Sequence, residues 1–267
     1  MYYFQIKEEL DEIIKSCKSE EHERFELRNV IRSVKRFFKP HILKAFFILH
    51  FFNTIQVFCG LGILTFYTID MLSRMRGNGL EILDDSTGTI AISAVRLIVS
   101  FLASGLTFVM GRRVIAMISG MFSFIPALII GVLLYMETGE SDAEAYLKLI
   151  LLFIYVTAMT LGFNPLPGIM LGETQNAEWR AFVCGYIYAV NDLILGGMLK
   201  IYPLLIDSIH LHGVFLMFGV ACAVCTVFVY LFLPETTSFT MQEMEDYFKQ
   251  SNVMWITRPK TEQRTKS

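Results

Sequence analysis

Residues Gly162 to Arg180 read GFNPLPGIMLGETQNAEWR. The stretch closes a long apolar run, breaks at Pro165 and Pro167, runs apolar again to Gly172 and turns polar at Glu173. Arg180 follows, and a new apolar run begins. A proline inside a helix removes one backbone donor and clashes with the carbonyl four residues back. Within lipid, backbone groups freed in this way must be satisfied by protein or by a water-filled cavity. The pattern predicts a broken transmembrane helix that faces something other than lipid. Binding sites are built on such helices.

The rest of the chain agrees with a membrane setting. Of 267 residues, 54% are apolar and 18% charged, against about 25% charged in a typical soluble domain. Mean hydropathy is +0.51. A net charge of −2 gives no support to a nucleic-acid partner. Cys222 and Cys225 form a CxxC, but inside a charge-free apolar run, where packing is the default reading. Met1 is followed by Tyr, Tyr, Phe and a charged segment, which does not read as a secretory signal.

A helix needs about 20 apolar residues to cross a hydrocarbon core. Ala45–Ile69, Val114–Met136, Leu149–Gly172 and Ser208–Pro234 contain no Asp, Glu, Lys or Arg. Ser86–Gly111 is interrupted by Arg96, and Ala181–Ile206 by Asp192 and Lys200. Six spans are predicted. Helices of a soluble bundle would show a polar face every two turns, and these do not. Basic residues in the connections set the direction. With a cytoplasmic N-terminus, 18 Lys and Arg fall inside and 4 outside or near the outer face. Both termini are therefore expected in the cytoplasm. The acidic segments around Asp84 and from Glu137 fall outside.

The flanks read as helical. Ile6, Leu10, Ile13, Ile14 and Cys17 recur at helical spacing, and Phe25, Leu27, Ile31, Val34 and Phe38 continue the pattern up to Pro40. This segment is either a basic amphipathic helix on anionic lipid or a packed cytoplasmic helix. Thr240 and Glu243 form a capping-box pattern before Met244, Tyr247 and Phe248. The tail from Arg258 is polar and expected to be disordered. The domain plan is a helical segment over 1–42, a transmembrane bundle over 43–234 and a cytoplasmic helix and tail over 235–267.

Several motifs, in order, resemble the sugar-porter branch of the major facilitator superfamily, and most closely the insect facilitated trehalose transporters. GFNPLPGIMLGE is similar to that family's tenth helix, usually GFGPIPWLMMGE, and Glu173 with Arg180 matches its E-x6-R. Gly111-Arg112-Arg113 is similar to the GRR or GRK after the eighth helix. Pro234-Glu235-Thr236 followed by TMQEMEDYF is similar to the closing PET and TLEEIE. Gln56, Gly60 and Phe66-Tyr67-Thr68 are similar to parts of the seventh helix's QQLSGINAVIFYT. The resemblance runs from Glu8 to about Phe248.

It implies an all-α membrane fold: the six-helix C-terminal bundle of the major facilitator fold with cytoplasmic helical flanks. It also implies half a transporter, in the plasma membrane, whose N-terminal six-helix half lies in the same or another chain. The implied substrate is a sugar, hexose or trehalose-like, carried by alternating access with no cofactor. A transport-inactive or substrate-switched relative with a binding or regulatory role is the alternative. A truncated gene product is one explanation for the half, and a functional half-molecule the other.

The resemblance assigns substrate contacts to Gln56 and Asn191. Other family positions differ: Val57 replaces the second glutamine, Gly62 the asparagine of SGIN, and Arg96 the eighth-helix asparagine. Gly168 replaces the tryptophan after PIP, and Asp192 the tryptophan after Asn191. Pro165, Pro167 and Gly168 would form a flexible gate, with Glu173 paired to Arg180. The acid that precedes the GRR in the family is absent here, so Arg112 and Arg113 either complete the gate or anchor at headgroups.

Arg96 and Asp192 each lie about 15 Å into their spans at 1.5 Å per residue. A charge at mid-bilayer costs about 2.5–3.5 kcal/mol on insertion scales, so each should face a cavity or a partner. They either form an ion pair across the cavity or are solvated separately. Lys200 lies near an outer end and is expected to snorkel. His210 and His212 form an HxH with no third ligand nearby in sequence, so no metal site is expected.

Overall fold

The computed structural model describes residues 40–76, 85–136, 142–175, 179–236 and Phe248. The chain divides into two compact units, Met1–Leu43 and Lys44–Ser267. The N-terminal amphipathic pattern and the polar tail lie outside the described residues, as does the capping-box segment apart from Phe248.

Every element among the described residues is helical. In chain order they are α1 (Pro40–Phe58), α2 (Leu61–Arg76), α3 (Asp85–Val109) and α4 (Arg112–Met136), then α5 (Asp142–Ala158), a π-helical turn (Met159–Phe163), α6 (Leu166–Thr174) and α7 (Arg180–Phe232). Five segments are long and apolar enough to cross a membrane: Ile42–Met75, Ser86–Val109, Arg112–Met136, Ala143–Thr174 and Arg180–Phe232. The first four coincide with the first four predicted spans, with ends that differ by up to six residues. The last two predicted spans fall in one helical run of 53 residues, α7, whose backbone leaves helical geometry at His210 (φ 55, ψ 177). Among the described residues five such segments are found, and the break at His210 lies close to the boundary between the last two predicted spans.

The first span is also broken. Gly60 takes φ 88 between α1 and α2, a conformation that costs glycine little and an L side chain more. The ring of Phe218 lies where a Cβ on Gly60 would be. A second irregularity follows at Tyr67 (φ −111, ψ 23).

Small residues let helices approach closely, as membrane bundles require. Gly120, Leu128 and Gly131 of α4 meet Thr226, Gly219 and Leu216 of α7 in turn. The pairs run in opposite order along the two helices, so α4 and the second part of α7 are antiparallel. The core holds Phe52, Tyr155, Phe163, Phe215 and Phe218, all fully buried. Phe248 packs with Ala45 and Ile48 beside Phe228 and Phe232. Outward, Phe101 is 73% exposed and Phe108 83%, a surface suited to lipid tails rather than water.

Candidate functional site

The opening stretch forms a break of a particular kind. Asn164 N–H bonds to Met159 O at 2.9 Å, five residues back, and π-turns of this sort recur at functional sites. Ser119 of α4 holds the turn from outside. Its hydroxyl donates to Ala158 O at 2.6 Å and accepts from Phe163 N–H at 3.0 Å. Pro165 then occupies the cap position of α6, and Pro167 lies in its first turn. The first-turn N–H groups have no intrahelical partner in any case, so the prolines start a new helix instead of distorting an old one.

One polar cluster gathers where α3 meets α4. Arg112 Nη2 lies 2.8 Å from Glu173 Oε1, and Thr236 Oγ1 donates to Glu173 Oε2 at 2.6 Å. Both oxygens of Glu173 are thereby engaged, and the expected pairing with Arg180 is replaced by pairing with Arg112. Arg180 instead directs Nη2 at Gln175 O, 3.5 Å away. Glu235 caps α4: its oxygens accept from Arg112 N–H at 2.8 Å and Arg113 N–H at 3.3 Å. A carboxylate there satisfies orphan donors and complements the positive end of the helix. Gly111 leaves room for this carboxylate, because a Cβ there would overlap Glu235 Oε2 in its present position. Arg113 bonds to Tyr230 O and its guanidinium stands 5.7 Å from the Tyr230 ring centre. Arg112 also donates to Thr107 O. Both arginines therefore make protein contacts, which a role confined to headgroup anchoring does not include.

The five residues expected at the substrate face are distributed as follows. Gln56 is half-buried near the end of α1, and its backbone oxygen receives Cys59 N–H at 3.2 Å. Asn191 is buried, and its Nδ2 donates to Asn53 Oδ1 at 3.3 Å, linking α7 to α1. Asn191 Oδ1 has no hydrogen-bond partner among the described residues. Arg96 donates to Thr65 Oγ1 of α2 at 2.7 Å, while Asp192 is exposed on α7. No ion pair joins them: the guanidinium is turned to Thr65 of α2. Gly168 lies beneath Tyr188, whose Oη occupies the place of a Cβ.

Sequence reading left several participants unassigned. Glu235 and Thr236 were visible in a motif but not as partners of Arg112 and Glu173. Asn53 and Thr65 are polar residues in apolar runs, which is a usable signal. Nothing in the sequence marks Tyr188. Where the later part of α2 meets the middle of α7, Tyr202 donates to Asp70 at 3.0 Å, Arg74 pairs with Asp70 at 2.9 Å, and Tyr67 donates to Leu199 O at 3.0 Å. Among the described residues no group of three His, Cys, Asp or Glu is arranged to hold a metal.

Long apolar helices with an apolar exterior and a few interior polar groups define a multi-pass membrane protein. The chain belongs to the family described as "Sugar (and other) transporter", whose model matches residues 4–248. It is 30% identical over 213 residues to the facilitated trehalose transporter Tret1 of Bombyx mori, covering 79% of this chain and 41% of that protein. It is 30% identical over 244 residues to the protein of the same name from Apis mellifera ligustica, covering 91% of this chain and 47% of that one. The chain thus spans less than half the length of these relatives. Its fold is similar to that of a D-xylose-proton symporter, with TM-score 0.66 and 18% identity over 80% of this chain and 49% of the other.

Proposed function

We propose that this chain is the C-terminal six-helix half of a sugar transporter and works by alternating access with an N-terminal half in the same or another chain. The observation that carries the reading is the family match over residues 4–248. The substrate is a hexose or a trehalose-like sugar, in keeping with the names of the relatives. Gln56, Arg96, Gly168, Asn191 and Asp192 form its side of the substrate site. Pro165, Pro167, Glu173, Arg180, Arg112 and Arg113 act in gating.

Six crossings are supported by length. A helix of 53 residues would reach about 80 Å at 1.5 Å per residue, far more than a hydrocarbon core of about 30 Å. The departure at His210 divides α7 into two crossings. The protein lies in the plasma membrane with both termini cytoplasmic, as the distribution of Lys and Arg favours. Residues 1–42 and 235–267 are cytoplasmic flanks of the bundle. The Arg112–Glu173 pair and the Glu235 cap then close the cytoplasmic end.

The test is uptake. The chain is fused behind the N-terminal half of the Bombyx mori relative and expressed in cells, and entry of radiolabelled trehalose and glucose is followed. Saturable uptake that unlabelled sugar competes is expected. A fusion that reaches the surface and moves neither sugar, while the Bombyx mori protein does, overturns the transport reading.

A further inference from the structure

We infer that Tyr188 is a sugar-contacting residue of this chain, seated on Gly168, which serves as its floor. The inference rests on the sugar reading above and names a contact within that same site. Tyr188 Oη lies over Gly168 so closely that a Cβ would overlap it. The first turn of the proline-started helix α6 thus meets an aromatic ring brought by α7, at the position where the resemblance expects a tryptophan.

Three observations give the ring its direction. Tyr188 and Asp192 stand four residues apart on α7 and share one side of the helix. A carboxylate within a span does not face lipid tails, so that side faces a cavity. The buried stripe of α7, Val183, Ile187 and Asn191, turns elsewhere. Tyr186, two residues earlier, points to a different neighbourhood, with ring centroids 5.9 Å from His50 and 5.8 Å from Phe46.

The hydroxyl supplies the chemistry. Buried Tyr155 donates to Cys59 O, and buried Tyr202 to Asp70. Tyr188 is 48% exposed and makes no hydrogen bond among the described residues. A phenol at this depth finds a partner in water or in a ligand. Its ring offers an apolar plate to the C–H face of a sugar, and its O–H can donate to or accept from a sugar hydroxyl. A pocket of aromatic surface with a few placed polar groups is the ordinary construction for small polar ligands.

Equilibrium binding of radiolabelled glucose and trehalose to the fusion with the Bombyx mori N-terminal half, in lipid nanodiscs, tests this. Y188A should weaken binding about 10-fold, equivalent to about 1.4 kcal/mol. G168A should weaken it equally, since its Cβ displaces the ring. The Y188A/G168A double variant should be no worse than either single one. Y188F, which keeps the plate and loses the hydroxyl, should fall between. The obstructing atom is the tip of a side chain, so G168A should keep the thermal midpoint of the parent. Unchanged binding by Y188A overturns the assignment, as does an additive double variant. If the unaltered fusion binds neither sugar saturably, the sugar reading fails and this inference with it; if it binds and Y188A is silent, only this inference fails.

Discussion

Arg112 Nη2 and Glu173 Oε1 are 2.8 Å apart, tying the start of α4 to the end of α6 across 61 residues of chain. The arginine side chain is 13% exposed and the glutamate 32%, so water screens the pair only in part. A hydrogen bond to a charged group contributes about 1.5–3 kcal/mol. E173Q keeps the shape and removes the charge, and it should lower the thermal unfolding midpoint of the purified chain measurably. R180Q, which leaves both oxygens of Glu173 engaged, should cost less. An R180Q variant less stable than E173Q would contradict the observed pairing.

Glu235 caps α4 from outside that helix. Loss of an N-cap oxygen costs roughly 0.5–2 kcal/mol, so E235A should destabilise the chain by that order. Hydrogen exchange at the amides of Arg112 and Arg113 should quicken. G111A pushes the carboxylate away and should reproduce the same exchange signature. Slow exchange at both amides in E235A would rule the cap out.

Arg96 donates to Thr65, and Asp192 stands apart from it. R96D should therefore reduce surface expression, and adding D192R should not restore it. T65V removes the acceptor and should produce a smaller loss of the same kind. Recovery of surface expression in the double reversal would establish an ion pair that the geometry does not contain.

Ser119 makes two buried bonds to the ends of the π-turn. S119A leaves Phe163 N–H and Ala158 O without that partner, and an unmet buried group costs about 1–3 kcal/mol. Thermal unfolding of the purified chain should register the loss, and S119T, which keeps the hydroxyl, should lose less wherever its methyl is accommodated. Equal stability of S119A and the parent would show that the turn holds without α4.

What was legible in the sequence follows from the range of each force. Apolar runs are local, so Ser86–Gly111 anticipated α3 and Val114–Met136 anticipated α4 within two residues. The break in Gly162–Arg180 was legible because prolines act on their own helix. The placing of the break in α7 at His210, inside the apolar run from Ser208, was not, since where a helix breaks depends on what packs against it. The site was less legible still. Asn191 also meets Asn53 at 3.3 Å, 138 residues away in sequence, a pairing that no local pattern announces.

The sequence by itself determined that the chain is apolar enough to lie in a membrane, where its long helices run, and that charges stand inside two of them. These properties depend on hydropathy and backbone chemistry within about 25 residues. The tertiary structure alone decided which groups meet: Arg112 with Glu173, Glu235 with the first amides of α4, Arg96 with Thr65, Tyr188 over Gly168. In an apolar medium every such polar group needs a partner, but which one it receives depends on how the helices pack. Steric fit between small and large residues sets that packing, and it has no signature in any one stretch of the chain.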